Sequence, residues 1–189
     1  DSWSVGPSGG VWHAYMSSCN YENKIYYFGG YQSSTYYKDL YIFNCDTNSW
    51  SVGASGATER EYHISFAYNG YVYIYGGASS SVQPTMYRYK ISNNTWEYVL
   101  TTSSFRLSNC GVVEWNGVFY IMKGYDYNTG GTNATVYAFY PDSATWDVGR
   151  TGGRGFYPNS VRIGSRAYAG NRSSGNPPQT DLLDLIRCL

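Results

Sequence analysis

Short runs in which apolar and aromatic residues dominate recur along the chain, and turn signals separate them. Two of these runs, IYYF (25–28) and VYIY (72–75), are followed directly by glycine, and a third, FYIM (119–122), is followed by Lys123 and then Gly124. Short runs of alternating aromatic and β-branched residues predict half-buried β-strands. Asn69-Gly70 and Asn116-Gly117 precede two of the runs, and Asn-Gly between strands is a strong hairpin signal. The pattern predicts an all-β protein.

These runs belong to an internal repeat. The glycines that end them stand at Gly30, Gly77 and Gly124, with Asn171 in a degenerate fourth copy, so each step is 47 residues. A second anchor is an aromatic residue nine positions before a tryptophan, in the pairs Tyr41/Trp50, Tyr87/Trp96 and Tyr137/Trp146. Each unit reads as four short strands, here called a to d, with the tryptophan on d. Four-stranded units of this length predict a β-propeller.

The fourth unit has an anchor at Leu183, but the sequence stops at Leu189 before a tryptophan appears. Counting on from Leu189 to Asp1 places this tryptophan at Trp3. We therefore expect a single domain, residues 1–189, forming a four-bladed propeller whose N-terminal strand completes the last blade. The blades are expected at about 4–50, 51–96, 97–146, and 147–189 plus 1–3. The alternative is a segment of a longer propeller.

Several of these residues resemble the kelch repeat: the paired glycines, the aromatic strand after the loop, and the tryptophan that follows. Asp39-Leu40-Tyr41 with Trp50, and Arg60 shortly before His63, are the closest matches. Unit three departs from the pattern with Lys123, and unit four departs with Gly170-Asn171. The resemblance covers nearly the whole chain. It implies a kelch-type β-propeller, a fold usually employed to recognise proteins.

Charge and hydropathy exclude several classes of partner. Basic and acidic residues number 13 each, so we expect neither nucleic acid nor an anionic membrane surface as a partner. No apolar run approaches the roughly 20 residues that span a bilayer, so membrane insertion is not expected.

Weaker signals favour a secreted protein. The sequence starts without Met, as a mature chain would, and three sequons make Asn93, Asn133 and Asn171 candidates for glycosylation. Cys19, Cys45, Cys110 and Cys188 have no CxxC spacing, so no zinc site is expected. Disulfides, buried thiols and a homo-oligomer joined through Cys188 all remain open.

Catalytic signals are weak. The only histidines are His13 and His63, and neither lies in a recognisable triad. The acidic residues show no paired placement of the kind that glycosidases use. We expect a non-enzyme with no cofactor and no metal.

Chain connectivity indicates where a ligand would bind. In a blade whose strands run up and down, the b–c and d–a loops share one face, which we call the loop face. These loops are long and rich in Tyr, Ser, Asn and Arg, a mixture suited to recognition. The predicted ligand contacts are Tyr31, Tyr36, Arg60, Arg106, Tyr125, Asp126, Tyr127, Asn128, Arg154 and Arg172.

The sequence favours a secreted, lectin-like module in which tyrosine rings stack on sugars and polar groups hold hydroxyls. A glycan or glycoprotein is then the expected partner. Protein recognition by a kelch module is the alternative. A tyrosine-rich structural or adhesive extracellular protein is a further one.

Overall fold

The computed structural model describes residues 5–122, 124–151, 159–163, 166–170 and 180–184. Its regular elements are all β-strands, as the alternating apolar pattern predicts. Within these ranges, no helix is long and apolar enough to span a membrane.

The strands group into units in chain order. Unit one contains β1 (Ser17–Tyr21), β2 (Lys24–Phe28), β3 (Tyr31–Gln32), β4 (Thr35–Tyr36), β5 (Leu40–Asn44) and β6 (Ser49–Val52). Unit two contains β7 (Ile64–Tyr68), β8 (Tyr71–Tyr75), β9 (Thr85–Lys90) and β10 (Thr95–Thr101). Unit three contains β11 (Leu107–Ser108), β12 (Gly111–Trp115), β13 (Val118–Met122), β14 (Tyr125–Asp126), β15 (Gly131–Thr132), β16 (Thr135–Tyr140) and β17 (Thr145–Thr151). Unit four contains β18 (Asn159–Ile163), β19 (Arg166–Gly170) and β20 (Thr180–Asp184).

Each of the first three units forms one four-stranded antiparallel sheet, with the strand orders β1-β2-β5-β6, β7-β8-β9-β10 and β12-β13-β16-β17. Unit four adds the sheet β18-β19-β20. The first strands of the units, β1, β7, β12 and β18, contact one another in that sequence, so the sheets stand side by side as propeller blades. The predicted all-β propeller class is confirmed. Trp3 lies outside the described residues, so closure of the ring, the blade number and the blade limits stay predictions.

Two of the repeated tryptophans, Trp96 and Trp146, pack between blades, as predicted. Trp96 on β10 lies 5.1 Å from Phe28 of the preceding blade, measured between ring centroids. Its indole nitrogen donates to the carbonyl of Ala54 at 2.6 Å. Trp146 on β17 repeats the ring contact, 5.0 Å from Tyr75 of the preceding blade. These two tryptophans therefore each join their own blade to the one before it.

Blade one differs from its neighbours on the face that carries Trp50. In blade two, the equivalent face holds Val72 and Ile74, and both are almost completely buried. In blade one, the corresponding residues Ile25 and Tyr27 are only half-buried. The segment before β1 covers part of this face, because the Trp50 indole nitrogen donates to the Pro7 carbonyl at 3.2 Å.

The glycines that end strand b join neighbouring blades through backbone hydrogen bonds. Gly30 N–H donates to the carbonyl of Arg60 at 2.9 Å, and Gly77 N–H donates to that of Leu107 at 2.8 Å. The glycine before each donor has a left-handed backbone, with φ of +66° at Gly29 and +75° at Gly76. A Cβ on Gly76 would overlap the Leu107 carbonyl oxygen. Glycine is required here for both conformation and space.

Replacing Gly76 with alanine tests this close approach. Gly70 is a matched control, because its φ is +78° and a Cβ added there would meet nothing within 4 Å. Gly70→Ala should cost about 1–2 kcal/mol of unfolding free energy from left-handed strain alone. Gly76→Ala should add about 1–3 kcal/mol, because the Cβ meets backbone of the next blade. Denaturant titration measures both; equal costs would contradict the close-approach account.

Candidate functional site on the loop face

The loop face is organised around a backbone ladder near the propeller axis. Just before strand a of the first three blades, one residue pairs with a residue after the glycines: Ala14 pairs with Tyr31 in blade one, and Glu61 with Ala78 in blade two. β11 pairs with β14 at the same place in blade three. Successive blades are then linked, because Tyr62 N–H donates to the Tyr15 carbonyl at 3.1 Å. In the same way, Asn109 N–H donates to the Tyr62 carbonyl at 2.8 Å.

Tyr15, Tyr62 and Asn109 are equivalent residues of the ladder, and all three adopt left-handed backbone. Their φ angles are +60°, +57° and +53°. Asparagine tolerates this conformation, whereas tyrosine rarely adopts it. Strained backbone of this kind clusters at functional sites, where the fold holds a side chain in a required position. The ladder therefore singles out Tyr15 and Tyr62.

The tyrosines near the axis form ring pairs. The rings of Tyr15 and Tyr62 lie 4.3 Å apart between centroids, and Tyr15 is 51% exposed. The rings of Tyr31 and Tyr36, at the two ends of the β3–β4 hairpin, lie 5.0 Å apart. This hairpin sits in the b–c loop and was not predicted.

Glu61 lies close to Tyr36 and directly precedes Tyr62. It is half-buried, and burial raises the pKa of its carboxyl. Partial desolvation, followed by the negative charge of Glu61 and by Tyr31 and Tyr127, raises the pKa of Tyr36. We define the axial cluster by the residues Tyr15, Tyr31, Tyr36, Glu61 and Tyr62. It contains two predicted contacts, Tyr31 and Tyr36, and three residues that the prediction missed.

Arg60, a predicted ligand contact, is instead fully buried, with 0% exposure. Its Nη1 donates to the carbonyls of Gly76 at 3.1 Å and Thr85 at 2.9 Å, where strands b and c of blade two diverge. Its Nε donates to the Thr58 carbonyl at 3.2 Å. Desolvation lowers the pKa of Arg60 to about 10. The expectation of a ligand-facing guanidinium is wrong, because the guanidinium is buried and donates its hydrogen bonds to backbone carbonyls.

Asp126 is also buried, contrary to its predicted role. Its Oδ1 accepts hydrogen bonds from the backbone N–H of Arg106 at 3.2 Å and of Asn128 at 2.9 Å. The carboxylate therefore shapes the b–c loop of blade three. Arg106 and Asn128, two of the predicted ligand contacts, bond to each other, because Arg106 Nε donates to Asn128 Oδ1 at 2.5 Å. Asn128 in turn donates to the Ser103 carbonyl at 3.1 Å.

The other predicted contacts fall into two groups. Tyr125 and Tyr127 lie on the same loop as Asp126, half-buried, with ring centroids 4.9 Å apart in an edge-on arrangement. Arg154 and Arg172 lie outside the described residues.

The sequons differ in accessibility. Asn133 is buried, and its Nδ2, the atom that would carry a glycan, donates to the Thr135 carbonyl at 2.7 Å. The prediction of a glycan at Asn133 is therefore wrong for the folded chain. Asn93 is exposed beside Thr95, and Asn171 lies outside the described residues.

With this geometry in place, comparisons with known proteins assign the family. A model of the KLHDC2/KLHL20/DRC7 Kelch-repeats domain matches residues 2–111. The chain belongs to the kelch-repeat family. Among solved structures, the kelch chain is similar to that of YjhT, with a TM-score of 0.80 and 15% sequence identity. The match covers 96% of this chain and 66% of YjhT, and at this identity the likeness is one of fold. No curated protein matches the chain.

His63, next to the axial cluster, is buried beneath the loop face. The side chain is 6% exposed, and neither ring nitrogen has a hydrogen-bond partner among the described residues. Its ring meets Phe28 edge-on at 5.4 Å. Burial, and then the charge of Arg60, holds the pKa of His63 well below its usual range.

The described part of the kelch chain assembles no metal-binding group of three or more His, Cys, Asp or Glu side chains. Of the alternatives that the sequence leaves open for the cysteines, free thiols hold for Cys19, Cys45 and Cys110, which form no disulfide. Cys188 lies outside the described residues.

The missed residues carry a recognisable signal. Aligning the kelch units puts Tyr15 and Tyr62 at the position of Asn109, and asparagine is a residue that left-handed turns favour. Taken one at a time, the two tyrosines look like ordinary loop residues, and only the equivalence with Asn109 indicates their backbone conformation.

His63 makes stability depend on pH in a defined direction. The unfolded state takes up a proton below about pH 6.5, whereas the buried ring does not. Stability should therefore fall as pH drops below that value, by up to about 1.4 kcal/mol per pH unit. His63→Leu should remove this component between about pH 7 and pH 5.5. Denaturant titrations across that range measure it; identical pH slopes for both proteins would refute it.

Proposed function

We propose that this kelch chain is a non-catalytic module that recognises a protein partner through its loop face, centred on the axial cluster. Kelch propellers commonly serve as binding modules, and the family match supports that role. The loops of this face come from several blades, so they can contact one partner together.

The observation that carries the proposal is the exposed ring of Tyr15. It is half exposed and lies against the ring of Tyr62, tilted by 33°, and both residues have left-handed backbone. The strain has no evident benefit for packing, because Asn109 fills the same position in blade three. Tyrosine is enriched at the centres of protein interfaces, where a rigid amphipathic ring contributes much of the binding energy.

The burial pattern favours protein over carbohydrate recognition. A sugar site needs polar groups that hold hydroxyls around an aromatic platform. Arg60 and Asp126, which were expected to supply such groups, are buried and bonded to the chain itself. The axial cluster has four tyrosines and one carboxylate, that of Glu61, and aromatic residues are enriched in the cores of protein interfaces.

Replacing Tyr15 with asparagine tests this site, because asparagine tolerates left-handed backbone, as Asn109 shows at the equivalent position of blade three. Peptides would be selected from a displayed random library on the intact chain, and the affinity of the best one measured by calorimetry. We expect Tyr15→Asn to weaken binding at least about tenfold, because it removes a central aromatic contact.

Tyr98→Ala is the matched control. Tyr98 is 59% exposed on β10, away from the cluster, and its loss should leave the affinity unchanged. If both variants bind like the wild type, or if both lose affinity equally, the loop face around Tyr15 is not the recognition surface.

Carbohydrate binding is a second candidate, favoured by the exposed ring of Tyr15 and the paired rings of Tyr31 and Tyr36. We propose that a chain with this carbohydrate-binding role would be secreted. A glycan array probed with the intact chain should show selective binding that Tyr36→Ala abolishes. A blank array would remove this candidate.

Mass spectrometry of the natural protein would show a glycan at Asn93 if the chain is secreted.

A further inference from the structure

We infer that the axial cluster receives a cationic side chain of the partner, a lysine or an arginine, with Glu61 as its charge partner and tyrosine rings beside it. The inference rests on the proposed function and names the chemistry that the same site would select.

Backbone hydrogen bonds fix Glu61 in this position. Its N–H donates to the Ala78 carbonyl at 2.8 Å, and its carbonyl accepts from Ala78 N–H at 3.0 Å. The preceding residue, Arg60, donates its N–H to the Tyr37 carbonyl at 3.2 Å. Glu61 is therefore held against the hairpin that carries Tyr31 and Tyr36, on a rigid part of the blade junction.

The carboxylate has no cationic partner in the part of the chain that the structure describes. The ion pair there joins Arg88 and Glu97 at 2.7 Å, on strands c and d of blade two. The neighbouring Arg60 does not compensate Glu61, since its guanidinium bonds to Thr58, Gly76 and Thr85. A half-buried carboxylate without a counter-charge attracts a cation more strongly than one in bulk water, because the local dielectric is lower.

The surroundings of the carboxylate select the kind of cation. Tyr36 is partly exposed and lies close enough to Glu61 to interact with its charge, and the ring of Tyr31 lies 5.0 Å from that of Tyr36. Tyrosine rings attract lysine and arginine through their π faces. An anionic partner would instead be repelled by Glu61. A cation carried on a flexible apolar stem fits both the ring surfaces and the charge.

The test uses peptides selected on the intact chain, as for the proposed function. We expect lysine or arginine to be enriched at one position of these peptides. Replacing that residue with norleucine or citrulline should weaken binding to the wild-type protein about tenfold. The Glu61→Gln protein should bind the original peptide about tenfold more weakly than the wild type does. The same protein should bind the norleucine or citrulline peptide with nearly the same affinity as the original peptide.

Glu59→Gln is the control for net charge, because Glu59 is an exposed residue of the same d–a loop. It should leave both affinities unchanged. Thermal unfolding of the Glu61→Gln protein, compared with that of the wild type, shows whether the fold is intact.

The outcomes separate the two proposals. If peptides bind in a manner sensitive to Tyr15→Asn, but their neutral versions bind equally well, the cationic pocket is overturned and loop-face recognition stands. If peptide binding does not respond to Tyr15→Asn, loop-face recognition fails and the pocket fails with it.

Discussion

The contact on which the structure depends is the approach of one blade's glycine pair to the backbone of the next. Gly30 and Gly77 donate hydrogen bonds to carbonyls at the start of the following blade. A neighbouring Cβ would occupy the space of the accepting oxygen at Leu107. Hydrogen bonds between main-chain atoms therefore set the spacing of the blades near the axis, and the main chain deforms less than packed side chains do. Aromatic rings such as Trp96 fill the wider gap further out.

This main-chain frame explains why the loop face can hold side chains in costly positions. The carbonyl of Arg60 accepts the bond from Gly30, while its guanidinium bonds to Gly76 and Thr85 of its own blade. One residue thus joins blade one, blade two and the intervening loop. Glu61 follows Arg60 directly, so the frame fixes its position as well. A buried charge with several backbone acceptors is tolerated where an unpaired one would not be.

The sequence predicts those features that follow from local periodicity. Strands a to d, the hairpin turn at Asn69-Gly70 and the packing of Trp96 all come from residues that repeat at fixed spacing. The prediction for Arg60 was wrong because an arginine beside a loop looks exposed, and two of its acceptors, Gly76 and Thr85, lie 16 and 25 residues further along the chain. The strained tyrosines were missed because tyrosine carries no propensity signal for left-handed backbone. Tertiary contacts, and not local sequence, decide both.

The left-handed tyrosines have an evolutionary consequence. Replacing Tyr15 or Tyr62 with glycine or asparagine would relieve roughly 1 kcal/mol of strain each, so random mutation at these positions readily finds more stable sequences. Asn109 shows that the fold accepts such a residue. Under selection for stability alone, asparagine would replace the two tyrosines, as it stands at position 109 of the third blade. Under the proposed function, selection for recognition would keep the two tyrosines, whereas selection for stability alone would not.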